Sequence, residues 1–126
     1  MNIPENLKYT KEHEWVLIEG NLGTIGITDY AQGELGDVVF IDIDESLSEI
    51  SKGASCGTIE AVKTVSDLFA PFSGKVIEIN AALKDSPELL NSDPYNQGWM
   101  LKAEISDPSE LSDLLSAEEY RNLIGQ

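Results

Sequence analysis

Short apolar runs broken by glycine, asparagine and proline fill the first two-thirds of the chain, which is the pattern of strands joined by turns. Residues 14–19 and 23–28 flank Gly20-Asn21, a pair able to take positive φ, and predict a tight hairpin. Thr28 or Asp29 then caps a helical turn through Tyr30-Ala31-Gln32 that Gly33 stops, and residues 38–43 follow as a buried strand. The pattern then repeats. Gly57-Thr58-Ile59 echoes Gly23-Thr24-Ile25, and Gly74-Lys75-Val76-Ile77-Glu78-Ile79 echoes Gly36-Asp37-Val38-Val39-Phe40-Ile41. Glycine-led strands recurring in the same order point to two related halves, neither able to close a core alone. Paired halves of short strands predict a sandwich or flattened barrel.

The last third changes character. Ser86-Pro87-Glu88 opens a short helix with Pro87 at its first position, Asp93-Pro94-Tyr95-Asn96 forms a turn, and residues 99–105 read as a last strand. Asp107-Pro108-Ser109-Glu110 has the form of a capping box ahead of residues 111–115. Ser116-Ala117-Glu118-Glu119 repeats that signal before a helix through Ile124, with Gly125 as its stop. Leu111, Leu114, Leu115, Tyr120, Leu123 and Ile124 are spaced to cover an apolar surface. These helices, about residues 107–124, are expected to cap a core of about residues 7–105 in a single domain spanning 1–126.

Composition narrows the functions available. The 126 residues carry a formal charge of −15, so a polyphosphate is repelled over most of the surface and nucleic acid is an unsuitable partner. Cys56 is the only cysteine, which excludes an intramolecular disulfide and predicts a reducing compartment. No apolar stretch has the length of a membrane span, and the N-terminus lacks the features of a signal or transit peptide; a cytoplasmic protein is expected. His13 is the only histidine, so a multi-histidine metal site is excluded. A Cys56–His13 dyad is formally a nucleophile pair, but free cysteine is more often a small core residue. Glu12 and Glu14 have the spacing of an acid–base pair in a chain where carboxylates are common everywhere. Neither the Rossmann nor the Walker glycine pattern occurs.

One segment stands apart, residues 57–74. Residues 60–68 contain no glycine or proline and by local propensity suit a short helix, whereas the half-to-half echo argues for two strands with a turn near Lys63. A lone exposed lysine is ordinarily just solvated. Its context says more. Glu60-Ala61-Val62-Lys63-Thr64 with Asp67, then Ala70-Pro71-Phe72-Ser73-Gly74-Lys75-Val76, resembles the lipoyl-attachment hairpin. Further matching segments are Tyr9-Thr10, His13-Glu14-Trp15-Val16, Gly26-Ile27-Thr28-Asp29-Tyr30-Ala31 and Leu35-Gly36-Asp37-Val38-Val39. Downstream come Leu90-Asn91-Ser92-Asp93-Pro94-Tyr95 and Gly98-Trp99-Met100. From about residue 7 to 123 the chain therefore resembles the glycine cleavage H-protein family. It departs from the family pattern at Asp44-Glu45, where many members carry Leu-Pro, at Glu12, where many have a small polar residue, and at Asn96.

The resemblance implies a mainly β, lipoyl/biotinyl-type flattened barrel-sandwich of two quasi-symmetric halves, with short helices and a C-terminal helical cap. It implies a non-catalytic, monomeric carrier with a lipoyl group in amide linkage to Lys63, attached by a lipoate-attaching enzyme that Glu60 helps to recognise. The arm would take an aminomethyl group from glycine decarboxylase, deliver it to aminomethyltransferase, and be reoxidised by dihydrolipoamide dehydrogenase. Glu14 and Asp67 match the acidic positions expected to hold the ammonium of the loaded arm in a cleft, against a plain alternative in which Asp67 stabilises the hairpin and Glu14 is merely solvated. Gly57 and Gly74 are expected to serve backbone geometry. The alternatives are a biotin carrier, a lipoyl domain of a 2-oxoacid dehydrogenase complex, a lipoyl relay protein, and an unmodified binding module. Val62 and Thr64 stand where a biotin carrier has methionines, and the Ala/Pro-rich linkers of the dehydrogenase domains are absent from this chain.

Overall fold

In a computed structural model describing residues 1–126, nine strands pair antiparallel into two sheets. The strands are β1 (Lys8–Tyr9), β2 (Glu14–Glu19), β3 (Leu22–Ile27), β4 (Val38–Asp42), β5 (Glu49–Ile50), β6 (Ser55–Ala61), β7 (Val65–Phe69), β8 (Gly74–Ile79) and β9 (Leu101–Ile105). The larger sheet runs β1-β2-β3-β9-β8-β5 and the smaller β4-β6-β7. Each pair of echoed strands is split between the two sheets. β3 and β6 each sit between two partners in different sheets, and β4 and β8 likewise fall in opposite sheets. The sheets stay separate ladders, so the architecture is a sandwich rather than a closed barrel.

Side chains from both sheets, among them Val16, Ile25, Ile59, Leu68 and Leu101, are buried in one core together with Phe72 from the β7–β8 connection. A smaller cluster forms at one end, where Ile3, Leu7, Tyr9 and Trp15 meet Ala117 and Tyr120. Tyr9 and Tyr120 stack there with ring centroids 4.7 Å apart, so the C-terminal helix α4 (Ala117–Ile124) caps this end. Ser116 and Glu119 form the expected reciprocal capping box, and Gly125 closes the helix in the left-handed region.

The structure corrects several local expectations. Gly33 does not stop the first helix, α1 (Asp29–Leu35): Thr28 caps it, and it runs on to Gly36, whose φ of +79° ends it. In the β2–β3 hairpin only Gly20 takes positive φ, as in a type II′ turn. Two one-turn helices, α2 (Ala82–Asp85) and α3 (Leu89–Ser92), follow β8, and the first had no sequence signal. Residues 108–113 form a 3₁₀ helix rather than an α-helix over 111–115, and Leu115 instead exchanges backbone hydrogen bonds with Tyr9. Asp107 caps that segment, but Glu110 turns away from it to accept from Ser73 N (2.8 Å) and Ser73 Oγ (3.0 Å). Leu123 lies about half exposed rather than in the covered surface.

Candidate functional site

The ambiguous segment is a hairpin. Glu60 pairs with Val65, Ile59 with Ser66 and Thr58 with Asp67, leaving Val62-Lys63-Thr64 as the connection. The inward-facing Ile59, Ala61 and Leu68 are buried, and covering them against the core outweighs local helical preference. Ala61 N donates to Thr64 O at 2.8 Å, and Val62 N donates to Asp37 O at 3.0 Å, tying the tip to the start of β4. Lys63 is exposed at that tip, and its Cε would lie 3.2 Å from a Cβ at Gly36, so a larger residue there would crowd the lysine stem. Lys52, Lys84 and Arg121 are engaged in ion pairs with Asp113, Glu45 and Glu5, but Lys63 is in none.

A cleft of about 150 Å³ lies alongside, between the turn before β2, α1 and the β6–β7 hairpin. Glu12, His13, Glu14, Glu34, Ser66 and Asp67 contribute to its wall. Glu14 and Asp67, 53 positions apart in sequence, thus reach one cavity. Glu14 is not solvated: it is 2% exposed, accepting from Thr10 Oγ1 at 2.6 Å and Phe69 N at 3.3 Å. Burial pushes its carboxyl up to about 7; the two hydrogen bonds oppose that shift and the Glu12 charge adds to it. Asp67 is exposed at the rim and accepts from Ser55 Oγ at 3.2 Å. Glu60 does not line this cleft; it faces solvent between Phe40 and Val65, its partners in neighbouring strands.

His13 also borders the cleft, with a φ of +71° that non-glycine residues seldom adopt. The Tyr120 hydroxyl bridges His13 Nδ1 and the Thr28 Oγ1 that caps α1, 2.8 Å from each. Burial holds the imidazole below its ordinary pKa. This link joins α4 to the cleft wall across 107 residues, a separation at which neither spacing nor local pattern gives a signal. Glu34 escaped the sequence reading for the same reason, being one surface carboxylate among many. Cys56 does not pair with His13: its thiol donates to Leu68 O at 3.4 Å, and burial pushes it up to about 12, so the nucleophile dyad is excluded. Gly57 and Gly74 do serve close backbone approach, a Cβ on Gly74 falling 2.2 Å from Glu104 O. An open groove of about 400 Å³ between β4 and β8 is larger but mostly apolar, and lies away from Lys63.

Comparison with known proteins agrees with this geometry. A family profile described as Glycine cleavage H-protein matches residues 7–126. The chain is 58% identical to the glycine cleavage system H protein of Staphylococcus haemolyticus and 57% to that of Staphylococcus saprophyticus, over 126 residues and all of both chains in each case. Among solved structures it is similar to a glycine cleavage system H protein from Mycobacterium marinum. The TM-score is 0.90 at 39% identity, covering 98% of this chain and 100% of that one.

Proposed function

Because the chain belongs to the glycine cleavage H-protein family, we propose that Lys63 bears a lipoyl group in amide linkage and that this single-domain, monomeric, cytoplasmic protein is a carrier without catalytic residues of its own. The observation that carries the reading is the place of Lys63: at the tip of a pinned hairpin, exposed, in no ion pair, beside a cleft walled by carboxylates. The residues fit the group. A flexible four-carbon stem extends the reach of whatever it carries, and acylation removes its charge, making the chain one unit more negative.

Attached there, a lipoyl group supplies a dithiolane that takes up a one-carbon unit on sulfur and cycles between disulfide and dithiol. The protein supplies presentation and shelter. The hairpin holds the attachment point rigid, so each visit to a partner's active site is a local encounter rather than a search for free cofactor. Glu14 and Asp67 offer carboxylates to a cation folding back into the cleft, and the buried position of Glu14 strengthens that pairing by keeping water away. The partners are glycine decarboxylase, aminomethyltransferase and dihydrolipoamide dehydrogenase, with a lipoate-attaching enzyme acting on the bare lysine near Glu60.

Intact mass of the protein purified from its own cells, with peptide mapping of residues 57–75, tests this. One lipoyl increment on Lys63 is expected, and none on a Lys63→Arg variant with an unchanged unfolding midpoint. A biotinyl increment, or a bare Lys63 in cells whose other lipoyl proteins are loaded, overturns the reading.

A further inference from the structure

His13 stands among four carboxylates and is nevertheless held uncharged. Glu12 precedes it in the turn, Glu14 follows it at the start of β2, Glu34 comes from α1 and Asp67 from β7, all on the wall of the same cleft. Tyr30 from α1 and Tyr120 from α4 set their rings against the imidazole, at centroid distances of 4.8 Å and 5.7 Å. No lysine or arginine lines this cleft. The Glu12 and Glu34 charges favour a protonated ring, but burial outweighs them. The hydrogen bonds around Tyr120 act in the same direction as burial. Thr28 is fully buried, its Oγ1 accepts from Ala31 N at 3.1 Å, and the one acceptor it reaches is the Tyr120 oxygen, at 2.8 Å. Its hydroxyl proton therefore goes to Tyr120. Tyr120, buried as well, then gives its own proton to His13 Nδ1, 2.8 Å away. An Nδ1 that accepts leaves the ring proton on Nε2, so the imidazole is the neutral Nε2–H tautomer. Protonation would reverse the whole row: Nδ1–H would donate to Tyr120, Tyr120 to Thr28, and the Thr28 proton would be left buried without an acceptor, which is unfavourable.

A histidinium at this place would work against a cationic guest. It would pair with the carboxylates that the guest needs, and its charge would repel the guest directly. We infer that Tyr120 is a positioning residue for the carrier: with Thr28 behind it, its hydroxyl keeps His13 neutral, so that the carboxylates of the cleft stay open to the ammonium of the loaded arm. This rests on the proposed modification of Lys63. It gives the C-terminal helix a part in the cleft that packing alone does not require. Tyr120 stacks on Tyr9 through its ring, which phenylalanine would do as well, whereas only the hydroxyl can pass a hydrogen bond from Thr28 to His13. The backbone of His13 belongs to the same device. Its φ of +71° is uncommon for a residue with a side chain, and Thr28 N holds it there by donating to His13 O at 3.1 Å. Thr28 thus fixes His13 twice, once through the main chain and once through Tyr120.

The test uses the full, untagged chain, in which His13 is the only histidine and its imidazole signals need no assignment. Nitrogen NMR of the ring reads tautomer and titration directly. The Nε2–H tautomer is expected near pH 7, titrating below the ordinary 6.5. Tyr120→Phe is expected to raise that midpoint by about one pH unit and to mix the tautomers. In the lipoylated, aminomethyl-loaded chain the same variant is expected to release ammonia several-fold faster below its new midpoint, and at the wild-type rate well above it. Adding His13→Asn, which tolerates the left-handed backbone and takes no charge, is expected to restore the wild-type lifetime. A wild-type Nδ1–H tautomer, a histidinium near pH 7, or a midpoint unmoved by Tyr120→Phe overturns the inference. So does faster release that is equal at every pH and not restored by His13→Asn, which would leave Tyr120 a packing residue. If Tyr120→Phe does not fold, His13→Lys supplies the cation outright and is expected to shorten the loaded lifetime; an unchanged lifetime overturns the inference. A chain never modified at Lys63 fails the carrier reading and this inference together, whereas a modified chain with the wrong tautomer fails this inference alone.

Discussion

Glu14 is a carboxylate held where water barely reaches it and no cation neutralises it, and that has a measurable consequence. In the unfolded chain it titrates near an ordinary 4.5, and in the fold near about 7. Below the first value both states are protonated and the group contributes nothing to the pH dependence. Between the two, the native protein keeps a proton that the unfolded chain has lost, so stability falls as pH rises. Above about 7 the loss is complete, on the order of 3 kcal/mol. Glu14→Gln is expected to unfold at the same denaturant concentration as wild type near pH 4 but to outlast it at pH 8, by urea titration at both. Equal pH profiles would show that Glu14 ionises freely. Sequence located this residue through its neighbours His13 and Trp15; its burial came from the strand pairing and the Phe69 amide, which no local pattern specifies.

Among the elements, the glycine-led strands were legible because their glycines meet a packing requirement. Gly74 pairs with Ile105 in β9, and a Cβ there would stand 2.2 Å from Glu104 O, a backbone atom that cannot swing aside. Gly74→Ala is expected to cost about 1–3 kcal/mol. Hydrogen exchange should show the loss of protection concentrated at the Ser106 amide, which donates to Ser73 O, and along the β8–β9 ladder. Exchange that rises evenly over the chain would argue against a local clash. Helix ends divided in an instructive way. Ser116 with Glu119 read correctly because both halves of the box are local, whereas only the Asp107 half of the equivalent signal formed, because Ser73, 37 residues away, competes for the Glu110 carboxylate. Gly33 misled for a related reason: it occupies open space within α1, and glycine there only weakens a helix that Gly36 ends.

At the scale of the whole molecule, the cleft exists only when four separate stretches of chain come together. The turn before β2 brings Glu12 and His13, and the start of β2 brings Glu14; α1 brings Glu34; and the hairpin strands bring Ile59, Ser66 and Asp67. If this cavity shelters the loaded arm, replacing Glu14 and Asp67 together by Gln and Asn is expected to shorten the lifetime of the aminomethyl-loaded carrier in buffer several-fold, measured as ammonia or formaldehyde release. An unchanged lifetime would leave the cleft without that role. What the sequence determined by itself was whatever depends on near neighbours: the strand and turn pattern, the recurring glycine-led strands, the helix caps, and a hairpin motif whose lysine carries the family likeness. Tertiary structure alone decided that Glu14 is buried beside Phe69 and that Tyr120 reaches back to His13 and Thr28. Each of these rests on desolvation or on a hydrogen bond between residues far apart in the chain, and such energies have no counterpart in a local pattern.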